Sequence, residues 1–223
     1  MTALVTAPVA RSDRLVKLAR WLGGGPVHRM LALDVRGVEL VPATGPAIVV
    51  ANHSGFLDGP VLFAAAPRDG RFLVKAELYA GPLGHLLARI DQVPVNRGRA
   101  DRTALTAARA ALEAGRLVGV FPEGTRGTGD VSQVHDGIGW LVAHTRAPVV
   151  PVAIEGTGPR THHSGRRRRR GITVVFGPPV QLAVLGDPSA RATMAAVAEQ
   201  VRLVLSAHVL AVRLEHSDER DAA

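Results

Sequence analysis

Apolar and polar positions along this chain follow two periods in turn. Short runs rich in Val, Ile, Leu and Phe at residues 33–40, 47–51, 72–74, 92–95, 117–121, 149–154 and 172–176 predict strands. Between them, apolar residues three or four apart predict helices over 57–66, 82–90, 101–114 and 137–145, and a long helix from 188 to about 214 closes the chain. Regular alternation of strand and helix predicts an α/β fold: a single layered domain with a central mixed, largely parallel sheet flanked by helices. Ahead of it, Leu15, Leu18 and Leu22, with Val16 and Ala19, recur at helical spacing while Arg14, Lys17 and Arg20 fall on another side. Ser12 is a plausible N-cap and the glycines at 23–25 a stop, with a second short helix over 26–33. The expected division is an N-terminal amphipathic helical segment over 1–34, in contact with a membrane surface, and the layered domain over 35–223.

Composition narrows the possibilities. With 223 residues and 47% hydrophobic residues, the chain is long enough to bury a core without staples. It has no cysteine, which excludes a disulfide framework, a thiolate nucleophile and an iron–sulfur site. No uninterrupted apolar run approaches the roughly 18 residues of a membrane span, so the expectation is a chain that does not cross a bilayer. Residues 1–10 lack the basic, apolar, small-residue order of a secretory signal and read as a frayed end, which predicts a cytoplasmic protein. Lys and Arg outnumber Asp and Glu by 27 to 19, and a net charge of +8 points to anionic partners. Nucleic acid is not the expected one, because only 4% of residues are aromatic and no rings interleave the arginines at 166–170. That run lies in a polar stretch, 155–171, expected to be a surface loop.

Three strand ends carry candidate chemistry. Asn52-His53-Ser54-Gly55-Phe56-Leu57-Asp58 follows the apolar run 47–51 and precedes a helical pattern. On one regular helix, residues five apart diverge by about 140°. His53 and Asp58 therefore meet only if the chain turns between them, with Asp58 on the first helical turn. So placed, the carboxylate fixes the imidazole tautomer and leaves the other ring nitrogen to take a proton from a hydroxyl. An N-cap and an unrelated surface ring are the plainer alternative. Phe121-Pro122-Glu123-Gly124-Thr125-Arg126 follows another apolar strand, and its Pro and Gly force a turn that displays Glu123 and Arg126. Val93-Pro94-Val95-Asn96-Arg97 ends a third. Arginine forks onto phosphate oxygens, although a solvated ion pair explains either one singly. No Gly-x-Ser-x-Gly elbow, Walker loop or His-Glu-x-x-His occurs, so no metal is expected, and a nucleophile, if His53 is a base, arrives as substrate.

Taken in order, Asn52-His53-x-x-x-x-Asp58, residues 93–97, Phe121 to Arg126 and Val150-Pro151-Val152-Ala153-Ile154 resemble the four blocks of the glycerolipid acyltransferases of the lysophosphatidic acid acyltransferase type, over about residues 48–154. The resemblance implies transfer of a fatty acyl group from acyl-CoA or acyl-carrier protein, as co-substrate, to the free hydroxyl of a lysophospholipid, with no other cofactor. It implies His53 as general base with Asp58 as its partner, Arg97 on the phosphate, and Glu123, Gly124, Thr125 and Arg126 binding the acceptor. Val150 and Pro151 match the block on the acyl side, and Lys75 resembles a family lysine between the first two blocks. Two positions depart from the pattern. The chain reads Val134-His135-Asp136-Gly137 where Phe-Lys-x-Gly is frequent, and Asn96 stands where Asp is common. The first departure admits another lysophospholipid, a glycolipid or a hydroxylated lipid as acceptor.

The chemistry agrees with the resemblance. A thioester is already activated, so the protein must supply a base, anchors for phosphate and donors for the oxyanion. Backbone N–H groups around Gly55 or Gly124 are candidate donors. Attachment to the inner face of the cell membrane is expected to be peripheral, through the helix at 12–22 and the arginines at 166–170, each basic group contributing on the order of 1 kcal/mol at an anionic surface.

Overall fold

The structure, a computed structural model, describes residues 11–22, 25–26, 28–96, 101–158 and 171–221. Arg97, the residues at 1–10 and the arginines at 166–170 lie outside them. Two helices, α1 (Asp13–Leu22) and α2 (His28–Leu31), precede β1 (Asp34–Arg36). There follow β2 (Ala47–Ala51), α3 (Asp58–Ala65), β3 (Gly70–Lys75), α4 (Gly81–Arg89), β4 (Val93–Val95), α5 (Arg102–Glu113) and β5 (Leu117–Val120). The chain then forms α6 (Asp136–Thr145), β6 (Val149–Glu155), β7 (Thr173–Phe176) and α7 (Arg191–Asp221). The strands make one sheet in the order β1-β7-β6-β2-β5-β3-β4, parallel throughout except where β6 meets β7. The expected α/β class and mixed sheet are borne out.

The central strands have both faces covered, which explains their unbroken apolar runs. Along β2, Ile48 and Val50 face the layer of α5, α6 and α7, while Val49 and Ala51 face α3 with Val61 and Leu62. Gly119 on β5 makes room for a large neighbour: a Cβ there would stand 2.1 Å from the Phe72 ring. Asp101 caps α5 by accepting from Ala104 N–H at 3.0 Å and also takes the Asn96 N–H at 2.9 Å, so it ties the end of β4 to the helix.

Two differences from the sequence reading have physical causes. The run 33–40 is not one strand. Gly37 turns it at φ 70°, with Phe176 O only 2.2 Å from where a Cβ would stand, and a one-turn 3-10 helix follows over Val38–Leu40. The closing helix is longer than expected, and within it Arg191–Asp218 is long and apolar enough, by length and composition, to cross a membrane. Charged residues such as Glu199 and Arg202 interrupt it, so no unbroken apolar run announces it. Its residues Val197, Val201, Leu205, Val209 and Val212, at helical spacing, are buried in the core against the sheet.

Candidate active site

Because β6, β2, β5, β3 and β4 are all parallel, their carboxyl ends lie along one edge of the sheet. Three of the predicted groups follow from that: His53 after β2, Glu123 after β5 and Lys75 at the end of β3, while the fourth strand end, β4, is described only as far as Asn96. Strands are spaced by about 4.8 Å, so β3 stands about 10 Å and β4 about 14 Å from β2.

His53 and Asp58 do meet. The chain turns between them, Asp58 opens α3, and His53 Nδ1 lies 2.9 Å from Asp58 Oδ2. A carboxylate only accepts, so Nδ1 carries the proton and the Nε2 lone pair is left for a substrate. Asp58 is fully buried, and its charge is met from every side. Oδ2 also accepts from the N–H groups of Ser54 at 2.7 Å and Gly55 at 2.8 Å, while Thr157 Oγ1 donates to Oδ1. Ser54 Oγ is 3.2 Å from Thr157 Oγ1 and donates to it, since the threonine proton is already engaged. Gly55 is required for this closeness: a Cβ there would fall 2.2 Å from Thr157 O.

The backbone of His53 is held from the β5 side. Glu123 Oε1 accepts from His53 N–H at 2.8 Å, and Gly127 N–H donates to His53 O at 3.0 Å. Burial pushes the Glu123 carboxyl above the usual range, with Asp130 adding to the effect and the His53 N–H opposing it. The His53 ring stacks on Phe121, centroids 4.5 Å apart. Asn52 extends the pairing of β2 with β6 by its side chain, donating to Ile154 O at 3.0 Å and accepting from Ile154 N–H at 2.7 Å. The imidazole is thus fixed by ring, backbone and neighbour together.

Gly124 adopts φ +67° in a turn closed by its N–H to Phe121 O at 3.1 Å. The exposed His135 imidazole covers it, Nε2 standing 2.3 Å from the position of a Cβ. Thr125 and Arg126 are exposed, and the Arg126 guanidinium lies 5.9 Å over the ring of Phe56, itself 64% exposed. Lys75 pairs with Glu77 at 3.1 Å. Val150 and Pro151 lie buried in β6, well inside the sheet rather than at its edge. The N–H groups of Gly55 and Gly124 themselves are engaged by Asp58 and Phe121, which corrects their assignment as free oxyanion donors. Among the described residues, no cluster of three or more His, Asp or Glu could hold a metal ion.

The sequence reading missed Thr157, Glu155 and Arg213. It placed 155–171 in a surface loop, yet Glu155 ends β6 and Thr157 reaches Asp58. The available signal was topological: residues just beyond a parallel strand join the edge where the other strands end.

The fold and the fixed His–Asp pair define an α/β protein with a preorganised site at the carboxyl edge of a parallel sheet. A family model described as Acyltransferase matches residues 32–155, more than half of the chain, and the chain belongs to that family. Among curated proteins, it is 26% identical over 171 residues to the 1-acyl-sn-glycerol-3-phosphate acyltransferase of Bacillus subtilis, covering 75% of this chain and 83% of that one. It is 31% identical to the chloroplastic 1-acyl-sn-glycerol-3-phosphate acyltransferase BAT2 of Brassica napus, over 59% of this chain and 40% of that one. The crystal structure of the 1-acyl-sn-glycerophosphate (LPA) acyltransferase PlsC from Thermotoga maritima is similar at TM-score 0.64 and 27% identity, covering 89% of this chain and 79% of that one. These findings bear out the resemblance read from the four blocks.

Proposed function

We propose that this acyltransferase moves a fatty acyl group from a thioester, acyl-CoA or acyl-carrier protein, to the free hydroxyl of 1-acylglycerol 3-phosphate. Similarity to 1-acyl-sn-glycerol-3-phosphate acyltransferases supports the acceptor, and the buried His53 Nδ1 contact to Asp58 carries the mechanism. His53 Nε2 takes the hydroxyl proton as the oxygen attacks the thioester carbonyl, and Asp58 stabilises the imidazolium that forms. The tetrahedral oxyanion collapses with cleavage of the C–S bond. His53 returns its proton to the thiolate, leaving an ester and a free thiol. Lys75, Arg97 and Arg126 are the cations assigned to the acceptor phosphate, Glu123, Gly124 and Thr125 shape the acceptor turn, and Val150 and Pro151 back the acyl side from within β6.

A second acceptor class has one observation in its favour. His135, not a lysine, covers the Gly124 turn, and an imidazole serves a headgroup of lower charge as readily as a phosphate. The membrane contact assigned to this enzyme is peripheral, with Arg14 and Lys17 exposed on α1 and Val16 of the same helix buried on the body.

The deciding experiment is mass spectrometry of products formed by the purified chain from acyl-CoA and a panel of lysophospholipids, glycolipids and hydroxylated lipids. Diacylated phosphatidic acid from the wild type and none from His53→Ala is the expected result. Equal activity in the two proteins would sink the base mechanism, and turnover confined to another acceptor would replace the substrate.

A further inference from the structure

Beyond residue 155, where the family match ends, α7 returns to the site edge and delivers one side chain to it. Arg213 Nε donates to Glu155 Oε1 at 2.7 Å. Its Nη2 donates to Gly129 O at 3.0 Å and to Thr128 O at 3.4 Å. One planar guanidinium therefore joins two strand ends, the last residue of β6 and the loop that follows β5. Both ends hold His53 or its immediate neighbours. Two residues before Gly129, Gly127 N–H bonds to His53 O at 3.0 Å. Gly129 itself packs against the first block, where a Cβ on it would stand 3.0 Å from Asn52 Nδ2 and 3.2 Å from Ser54 Cβ. On the other arm, Glu155 follows Ile154, the backbone partner of Asn52, and precedes Thr157, the donor to Asp58, by two residues.

We propose that Arg213 is a positioning residue that locks the loop at 127–129 against the His53 segment and so sets the aim of the imidazole. It touches neither His53 nor Asp58 and acts through Gly129 and Glu155. Arg213 adds to the ties this loop already has, the Gly127 N–H on His53 O and the buried Val131 that follows. Gly127 and Gly129 are free in backbone, Gly129 at φ +69°, and Thr128 is exposed. An arginine fork suits the task, because it satisfies a carboxylate and two carbonyls from one rigid plane, whereas a lysine offers a single point of donation.

The inference rests on the acyl-transfer reading above, and the test separates the two. Wild type, Arg213→Ala, Arg213→Lys and Val209→Ala are compared for kcat and KM with acyl-CoA and 1-acylglycerol 3-phosphate. Thermal unfolding and deuterium exchange over 127–131 are followed in the same proteins. Val209 is a buried core residue on the same helix, 2% exposed, and serves as a control for loss of stability alone. Arg213→Ala is expected to lose about 10- to 100-fold in kcat, as small misplacements remote from the chemistry do, with KM for acyl-CoA little changed. Its 127–131 segment exchanges faster, and Arg213→Lys recovers part of both effects. Val209→Ala is expected to keep its kcat while unfolding at a lower temperature. Wild-type kcat in Arg213→Ala, a loss of activity that merely tracks the fall in unfolding temperature across both helix variants, or unchanged exchange at 127–131 would each overturn the proposal. Should the wild type transfer no acyl group, the functional reading fails, while the exchange data still decide whether Arg213 holds the loop.

Discussion

Replacing Thr157 by Val removes one hydroxyl and keeps nearly the same shape, which deletes its bond to Asp58 together with the part-buried acceptor that Ser54 Oγ uses at 3.2 Å. That carboxylate is fully buried, with three donors on Oδ2 and the Thr157 hydroxyl on Oδ1. Without the hydroxyl, Oδ1 keeps its charge density in a dry site and loses its donor. A hydrogen bond to a charged group contributes about 1.5–3 kcal/mol, so a loss of about 2 kcal/mol of folding stability is expected. For a chain of this size that corresponds to a fall of about 4–8 °C in the unfolding midpoint. The freed carboxylate also turns more easily, and His53 with it, so kcat should fall by about tenfold, a further 1.4 kcal/mol at the transition state. The assay is release of free thiol from acyl-CoA. The chain has no cysteine, so a thiol reagent sees only the product. Thr157→Ser restores the donor and should recover most of the stability and rate. Wild-type behaviour in Thr157→Val would refute the reasoning. So would equal damage in the Ser and Val variants, because Ser keeps the hydroxyl and the loss could then not be laid to the missing donor.

Three further outcomes follow from the geometry. Glu123→Gln retains an acceptor for His53 N–H but removes a carboxyl whose pKa burial has raised. The folded protein binds more protons there than the unfolded one, so this group's stability contribution falls as pH rises through the folded pKa; urea midpoints of the Gln variant above pH 4.5 should decline less than those of the wild type. Asp91→Asn breaks the hub at which burial of the carboxyl is outweighed by Arg71 and Arg116, which hold its pKa below the usual range. The hub's contribution is present above the unfolded carboxyl pKa and is lost as pH falls through the lower folded value. The variant should therefore be about 1–3 kcal/mol less stable at neutral pH, with the gap closing in acid, as urea unfolding would record. Gly139→Ala puts a Cβ 2.0 Å from Met194 O, where α6 and α7 meet and the obstacle is backbone, and should cost about 1–3 kcal/mol or more in the same measurement.

Much of the fold was legible because local signals agreed with the tertiary outcome. The runs 47–51, 117–121 and 149–154 became the three innermost strands, within a residue at each end, because strands covered on both faces need continuous apolar sequence. The run 33–40 misled because the deciding fact was remote: Phe176 O presses on Gly37, and no local pattern announces that contact. The His53–Asp58 pairing was legible for the opposite reason. The partners lie five residues apart, and helical geometry showed that they could meet only through a turn between them, which the structure supplies in place of the plainer N-cap and surface ring.

What stayed hidden is the set of partners that arrive from afar. Glu123 reaches His53 across 70 positions, Thr157 reaches Asp58 across 99, and Arg213 reaches Gly129 across 84. A local pattern carries no trace of such pairs, because polar residues after a strand look like solvent-facing loop. Parallel topology changes that expectation. Once β6, β2 and β5 run the same way as neighbours, the residues following each must share one edge. Polar groups gathered there can satisfy one another's buried hydrogen bonds instead of water's. The same condition explains why the His–Asp motif is insufficient on its own. A carboxylate at the start of a helix is ordinarily a solvated cap, whereas Asp58, closed in by Thr157 from the next strand, is a buried charge that keeps a single orientation and gives His53 a single tautomer.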